Sequence, residues 1–172
     1  MASFPSSYIP TAASSVTRPA DVCSIAVSGF VYPATLFAEF ERVVDTAASE
    51  SCIQIDNGSN TDRAVLRVSA ADLAQVDVQS GGAAQASITV AGALALNTVY
   101  RAATRIAAND VQIARFGTLG TQDTSVTIPS TPTTIRLGQD TSTTVMLNGY
   151  LKRAAVWSNL AFTDAQLQAV ST

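Results

Sequence analysis

The chain has 172 residues, a net charge of −3 and no histidine. Hydrophobic residues make up 47% and charged residues 13%, the opposite of the balance in a disordered tail, so we predict one compact domain with a sizeable core. The ten basic residues are scattered and do not form the clustered surface that nucleic acid requires. No apolar run approaches the ~18 residues of a membrane helix, and no basic region followed by an apolar one opens the chain, so we expect neither membrane insertion nor a secretory signal.

The absence of histidine and the small number of cysteines restrict the chemistry further. Without histidine the chain lacks the commonest general base, the commonest metal ligand and every Ser-His or Cys-His nucleophile. Cys23 and Cys52 are too few for a disulfide scaffold. They form either one bridge or two buried thiols, and we favour the thiols because cysteine packs readily as a small hydrophobe.

Turn signals divide the chain into short strands. Residues 1–20 are rich in Ser, Thr, Ala and Pro and predict an extended lead-in, which leaves 21–172 as the domain. Strands are predicted first at 22–27 and at 35–44, the latter with Leu36, Ala38 and Phe40 on one face.

Three β-hairpins are predicted next along the chain. They pair 52–55 with 64–68 around Asp56-Asn57-Gly58, 75–78 with 86–90 around Gly81-Gly82, and 99–103 with 111–114 around Asn109-Asp110. The Ala and Arg content of 64–73 and 98–108 would also suit weak helices, but the neighbouring turns favour strands. Residues 117–134 are predicted to form a long surface connection around a short strand. Two further strands are predicted at 133–137 and 147–157. About ten short strands indicate a β-sandwich.

The chain ends in one capped helix. Thr163 and Gln166 have the spacing of a capping box, and Phe162 and Leu167 have the spacing of a hydrophobic staple. A turn at Ser158-Asn159 precedes them. We therefore predict one short helix docked against the end of an all-β domain.

Several segments resemble the concanavalin A-like (laminin G-type) jelly rolls of bacteriophage structural proteins. The segments are Ser6-Ser7-Tyr8-Ile9-Pro10-Thr11, Val16-Thr17-Arg18-Pro19-Ala20-Asp21-Val22, Thr35-Leu36-Phe37-Ala38-Glu39-Phe40, Ile55-Asp56-Asn57-Gly58, and the end of the chain from Asn148-Gly149-Tyr150 through Trp157 to Leu167. The resemblance spans nearly the whole chain. It implies an antiparallel jelly-roll β-sandwich with one short C-terminal helix, a place in the virion, and the C-terminal position in a longer tail-fibre, tailspike or capsid-fibre protein. It supplies no ligand and no catalytic residue.

Two acidic groups raise the question of catalysis and of metal binding. Glu39 and Glu41 share one strand face, as the carboxylates of jelly-roll glycosidases do, but Val43 and Val44 end the row and we predict no enzyme. The loop containing Asp56, Asn57 and Asp62 offers the oxygen ligands of a weak Ca²⁺ site, although a tight turn requires the same residues. We predict no other cofactor.

Aromatic and basic residues are the candidates for ligand binding. Tyr32, Tyr100 and Trp157 offer faces on which a sugar ring could stack, and Lys152 could hold an anionic glycan. For Trp157 we favour packing beside the terminal helix. Because adjacent residues of a strand point to opposite faces, we expect only one of Lys152 and Arg153 to line any site.

These observations lead to a non-enzymatic virion module. The first hypothesis is a receptor-binding domain of a tail fibre or spike that recognises a host cell-surface polysaccharide. The alternative is a capsid-decoration or head-fibre domain that trimerises and has no ligand of its own, and a glycan depolymerase is the least favoured reading. We expect contacts with other virion proteins and a homotrimer, as is usual for phage fibres.

Overall fold

The computed structural model describes residues 22–142 and 144–172, which form two antiparallel β-sheets and a short helix. The elements are β1 Ser24–Ala26, β2 Ala34–Arg42, β3 Glu50–Asp56, β4 Arg63–Val68, β5 Ala74–Ser80, β6 Ala83–Val90, β7 Val99–Ala107, β8 Asp110–Arg115, β9 Thr118–Leu119, β10 Thr134–Leu137, β11 Gly149–Ser158 and α1 Asp164–Val170. Residues 1–20, the predicted lead-in, lie outside the described residues.

The strands form a six-stranded and a five-stranded sheet packed face to face. Their orders are β1-β10-β3-β4-β5-β6 and β11-β2-β7-β8-β9, and every pairing is antiparallel. Strands distant in sequence are neighbours in space: β10 lies between β1 and β3, and β11 pairs with β2. The predicted jelly-roll β-sandwich with one C-terminal helix is confirmed.

The core lies between the sheets and follows the alternation of the strands. On β2, Leu36, Ala38 and Phe40 are at most 1% exposed, as predicted, whereas Phe37 lies on the opposite face, beneath the helix. The facing sheet contributes aliphatic side chains such as Ile53. Because the period of a strand is two, each strand facing the core leaves a second set of side chains on an outer face of the sandwich.

The three predicted hairpins are confirmed as β3–β4, β5–β6 and β7–β8. In the second, Gly81 and Gly82 both have positive φ, as a two-residue turn between twisted strands requires. In the third, Asn109 takes the left-handed conformation. The segments that could have been weak helices are strands, because these turns return the chain onto its own partner.

The predicted helix start is confirmed in detail. Thr163 Oγ1 accepts a hydrogen bond from the Gln166 amide, and Gln166 Oε1 accepts one from the Thr163 amide. Leu167 is fully buried, with Phe162 packed against the same small cluster. Ala103 and Ala114 supply the floor of that cluster, and their small side chains let the helix lie close to the outer face of the five-stranded sheet.

The remaining connections were predicted in part. Residues 117–134 form the expected surface connection around β9, with Val126 buried beneath it.

Both cysteines are free thiols, as favoured, but only Cys52 is buried. The prediction of burial was wrong for Cys23, which precedes the edge strand β1 and is exposed. No helix in the described ranges has the length and apolar character that crossing a membrane requires.

Candidate functional site

The outer face of the five-stranded sheet brings together several of the predicted residues. Since Leu36, Ala38 and Phe40 face the core, the alternate positions Phe37, Glu39 and Glu41 lie on the outer face of β2. Strand β11 pairs beside them at the edge of the sheet. The side chains of β11 therefore decide what this face presents.

A β-bulge in β11 changes the direction of its basic residues. Leu151 pairs with Phe40 and Arg153 with Glu39, so Lys152 is the extra residue between two normal pairs. Lys152 Nζ lies 2.6 Å from Glu41 Oε2 on the outer face, and Arg153 acts on Glu39 of the same face. The prediction that the two basic residues point to opposite faces was wrong, because the bulge interrupts the alternation of the strand.

Both carboxylates of this face form ion pairs with basic residues. Glu39 is 8% exposed, and its Oε2 accepts a hydrogen bond from Arg101 Nε at 2.8 Å. That bond, with the positive charges of Arg153, Arg101 and Lys152, lowers the pKa of Glu39 against the opposing effect of burial. A glycosidase needs one carboxyl group with a raised pKa as its acid. Glu39 therefore suits an ionic role on the face better than the role of a catalytic acid.

Between β11 and the terminal helix lies an open cleft of about 580 Å³. Its lining is mainly apolar and consists of Phe37, Arg153, Ala154, Ala155, Trp157 and Val170. The Trp157 ring lies 4.8 Å from that of Phe162 at an interplanar angle of 41°, so the residue that precedes the helix N-cap supports the indole. Within the described ranges Arg153 makes no hydrogen bond and no ion pair, and it is the one charged residue of the lining. We call this the Trp157 cleft.

The four predicted ligand-binding residues separate into two pairs. Trp157 lines the cleft, and Lys152 lies on the same face, paired with Glu41. Tyr100 is 7% exposed, and its hydroxyl accepts a hydrogen bond from the Ala95 amide at 2.8 Å. Tyr32 packs against the core, and burial, with Asp62 and Asp56 nearby, raises the pKa of its phenol. The two tyrosines pack against the core and do not line the Trp157 cleft.

The predicted Ca²⁺ loop is occupied by its own hydrogen bonds. Asp56 accepts from Arg136 Nε at 2.7 Å, from Gln54 and from the Gly58 amide. Asp62 accepts from the amides of Gly81 and Ser130, which lower its pKa, and the Asn57 amide group donates to Ser130. The described residues contain no group of three or more His, Cys, Asp or Glu side chains that could hold a metal ion. Calcium binding stays a prediction.

Sequence reasoning missed a polar network on the outer face of the six-stranded sheet. Arg67 forms an ion pair with Asp77 and donates through Nε to Gln75 Oε1 at 3.1 Å, and Gln75 donates to Ser87 at 2.8 Å. Arg63 lies on the same face of β4, two strand positions before Val65 and four before Arg67. The signal in the sequence is the alternation of polar residues in β4 and β5, but only the register places them side by side.

Comparison with known proteins gives the fold. No protein-family model matches the sequence, and no curated protein matches it. Among solved structures, the CBM40 of the Ruminococcus gnavus IT-sialidase bound to α2,3-sialyllactose superposes with a TM-score of 0.68 at 14% identity, covering 83% of this chain and 84% of that one. A heptameric SAP-like pentraxin from Limulus polyphemus gives 0.66 at 12% identity, covering 91% and 78%.

A longer protein is similar over part of its length. The NanB sialidase of Streptococcus pneumoniae gives a TM-score of 0.67 at 12% identity, covering 87% of this chain and 27% of that one. At these identities the likeness establishes architecture. The chain shares with these structures the antiparallel jelly-roll β-sandwich fold.

Proposed function

We propose that this domain is a non-enzymatic virion module of a bacteriophage that binds a host cell-surface polysaccharide in the Trp157 cleft. The observation that carries the proposal is the pairing of an aromatic ring with a guanidinium that makes no hydrogen bond and no ion pair within the described ranges. Trp157 lines an open, mainly apolar cleft, and Arg153 lines the same cleft. Glu39 lies opposite Arg153 in the strand register, but its hydrogen bond goes to Arg101.

The two side chains have complementary roles in binding a sugar. The apolar face of a pyranose ring packs on the indole, where it removes apolar surface from water. The guanidinium of Arg153 donates hydrogen bonds in a fixed fork that suits hydroxyl groups or a carboxylate of an acidic sugar. Since Phe162, just before the helix, packs against the indole, the platform is ordered before the ligand arrives.

Two further observations support a binding role in a virion. The CBM40 that shares this fold was solved with sialyllactose, which makes a glycan a reasonable ligand class for this chain. The phage resemblance at both ends of the sequence supports a virion location, contacts with other virion proteins and a homotrimer. Three copies would raise a weak monovalent affinity by avidity. The proposal requires neither nucleic acid nor membrane insertion.

The test is binding of the purified 172-residue chain to polysaccharide extracted from host cells. We expect Arg153→Gln and Trp157→Ala each to weaken binding at least about tenfold, as loss of a central contact does. Lys152→Gln removes the same charge one residue away, and Tyr150→Ala removes an exposed aromatic from the same strand. Both controls should retain binding within about twofold.

Other results would contradict the proposal in distinguishable ways. Equal losses in Lys152→Gln and Arg153→Gln would indicate unspecific charge attraction. Absence of binding to every permissive host, together with a stable trimer in light scattering, would favour the structural alternative of capsid decoration. Release of reducing sugars, abolished by Glu39→Gln, would indicate a depolymerase. Repeating the measurement with a chelator tests whether Ca²⁺ contributes.

A further inference from the structure

We propose that the outer face of the six-stranded sheet carries a second ligand site, at Arg63 and Asp77, for an oxyanion with a neighbouring hydroxyl group. The site lies on the opposite side of the sandwich from the Trp157 cleft and does not depend on the function proposed for that cleft. It is a pocket of about 230 Å³ lined by β4, β5 and β6, with Arg63, Arg67, Asp77 and Ser87 among its residues.

Asp77, which lines this pocket, has one carboxylate oxygen without a hydrogen-bond partner in the part of the chain that the structure describes. The residue is 7% exposed, and its Oδ2 is engaged by Arg67. Oδ1 is buried and has no hydrogen-bond partner among the described residues. A buried carboxylate oxygen without a partner destabilises the fold, so a ligand hydroxyl that donates to Oδ1 would recover that loss.

Arg63 supplies the complementary donor and a positive charge that, within the described ranges, forms no ion pair. Its Nη1 donates to Asn60 Oδ1 at 3.2 Å, whereas its buried Nε has no partner in the described part of the chain. Arg67 is neutralised by Asp77, but Arg63 forms no ion pair with any described residue. Burial and the positive charge of Arg67 lower the pKa of the Arg63 guanidinium against the opposing charges of Asp77, Asp140 and Asp56, and an incoming anion would act in the same direction as those carboxylates.

The positions of these groups define the ligand chemistry. An unfilled donor with positive charge and an unfilled acceptor on neighbouring strands suit a ligand that offers an oxyanion and an O–H group side by side. A sugar acid has both, and so does a sugar that carries a phosphate. At about 230 Å³ the pocket is smaller than the ~300 Å³ at which drug-sized sites begin, so it takes one such unit.

The test is a titration followed by amide chemical shifts of the whole chain. Glucuronate is the probe for a sugar acid, glucose is the matched neutral sugar, and inorganic phosphate is the probe for the oxyanion alone. We expect glucuronate to shift amides of β4 and β5 at concentrations at least tenfold lower than glucose does. Whichever of glucuronate and phosphate binds more tightly identifies the source of the oxyanion.

Variants then separate this site from the Trp157 cleft. Arg63→Gln should weaken glucuronate binding at least tenfold, with Arg63→Lys retaining part of it, while Arg153→Gln should leave it unchanged. The spectra themselves show whether each variant is folded. The proposal is wrong if neither anion shifts β4 and β5, or if Arg63→Gln and Arg63→Lys fold and bind as tightly as the native chain. Either result leaves the Trp157 cleft untouched.

Discussion

Arg42 shows how a single residue ties distant parts of this fold together. It lies at the end of β2, is 1% exposed, and its guanidinium contacts Glu50 at 3.0 Å and Asp72 at 2.6 Å. Glu50 is fully buried and also accepts a hydrogen bond from the Asn148 amide, next to β11. Burial opposes the charge of Arg42, but the bonds to Glu50 and Asp72 outweigh it and raise its pKa.

Removing one member of this buried pair leaves the other charge without compensation. We therefore expect Glu50→Ala to lower the free energy of unfolding by about 3–5 kcal/mol, measured by urea denaturation. Arg42→Met combined with Glu50→Leu should recover most of that loss. As a comparison, Arg101→Met breaks a more exposed pair with Glu39 and should cost about 1 kcal/mol or less. Equal costs would show that burial does not set the value of these pairs.

Strand β11 is the element that closes the five-stranded sheet and builds the Trp157 cleft. It is an edge strand of ten residues, and its bulge and exposed Lys152 and Arg153 are features that discourage further strands from pairing there. Its first residue, Gly149, lies opposite Arg42. A side chain at Gly149 would overlap the carbonyl oxygen of Glu41 and approach Arg42 Cα to 2.9 Å.

We expect Gly149→Ala to destabilise the protein by about 1–3 kcal/mol because backbone, rather than a flexible side chain, would have to move. Thermal unfolding measures the change. The reverse exchange in the same strand, Ala154→Gly, creates no clash and should cost about 0.5–1 kcal/mol. A neutral effect of Gly149→Ala would mean that the start of β11 is not held against β2.

At the scale of the whole molecule, the dependence of stability on pH below neutrality should come from carboxylates. The chain has no histidine to titrate between pH 5 and 8. Asp140 is 3% exposed; burial raises its pKa, but hydrogen bonds from Ser142, Val145 and Asn60 outweigh burial and lower the pKa overall. A lowered folded pKa stabilises the fold above the unfolded value of about 3.9, and this contribution disappears as pH falls through the folded value.

We therefore expect the urea midpoint to stay nearly constant from about pH 5.5 to 7.5 and to fall below about pH 4. Asp140→Asn should be less stable than the native chain at pH 6, and the difference should narrow as the pH is lowered towards 2.5. A difference that stays constant over this range would mean that the charge of Asp140 does not contribute. Circular dichroism, recorded against urea concentration at each pH, measures these midpoints.

The amino-acid sequence determined the local structure. Gly81-Gly82 and Asn109 set the hairpins through backbone conformations that few residues adopt, and Thr163 with Gln166 set the helix start through side-chain bonds to neighbouring amides. The alternation in β2 identified the core face in the same way. Each of these features depends on contacts within a few residues, so each could be predicted from a short stretch of sequence.

Only the tertiary structure decided which outer-face residues meet. The bulge that turns Lys152 and Arg153 onto one face depends on how β11 fits against β2, and the polar pocket depends on the register of β4 against β5 and β6. The sequence predicted Tyr32 and Tyr100 as aromatic faces for a ligand. In the structure Tyr100 is buried, and the partly buried Tyr32 packs against the core. Strand pairing brings distant residues together through backbone hydrogen bonds, which are the same for every residue type. The sites therefore form only when the sheets are assembled.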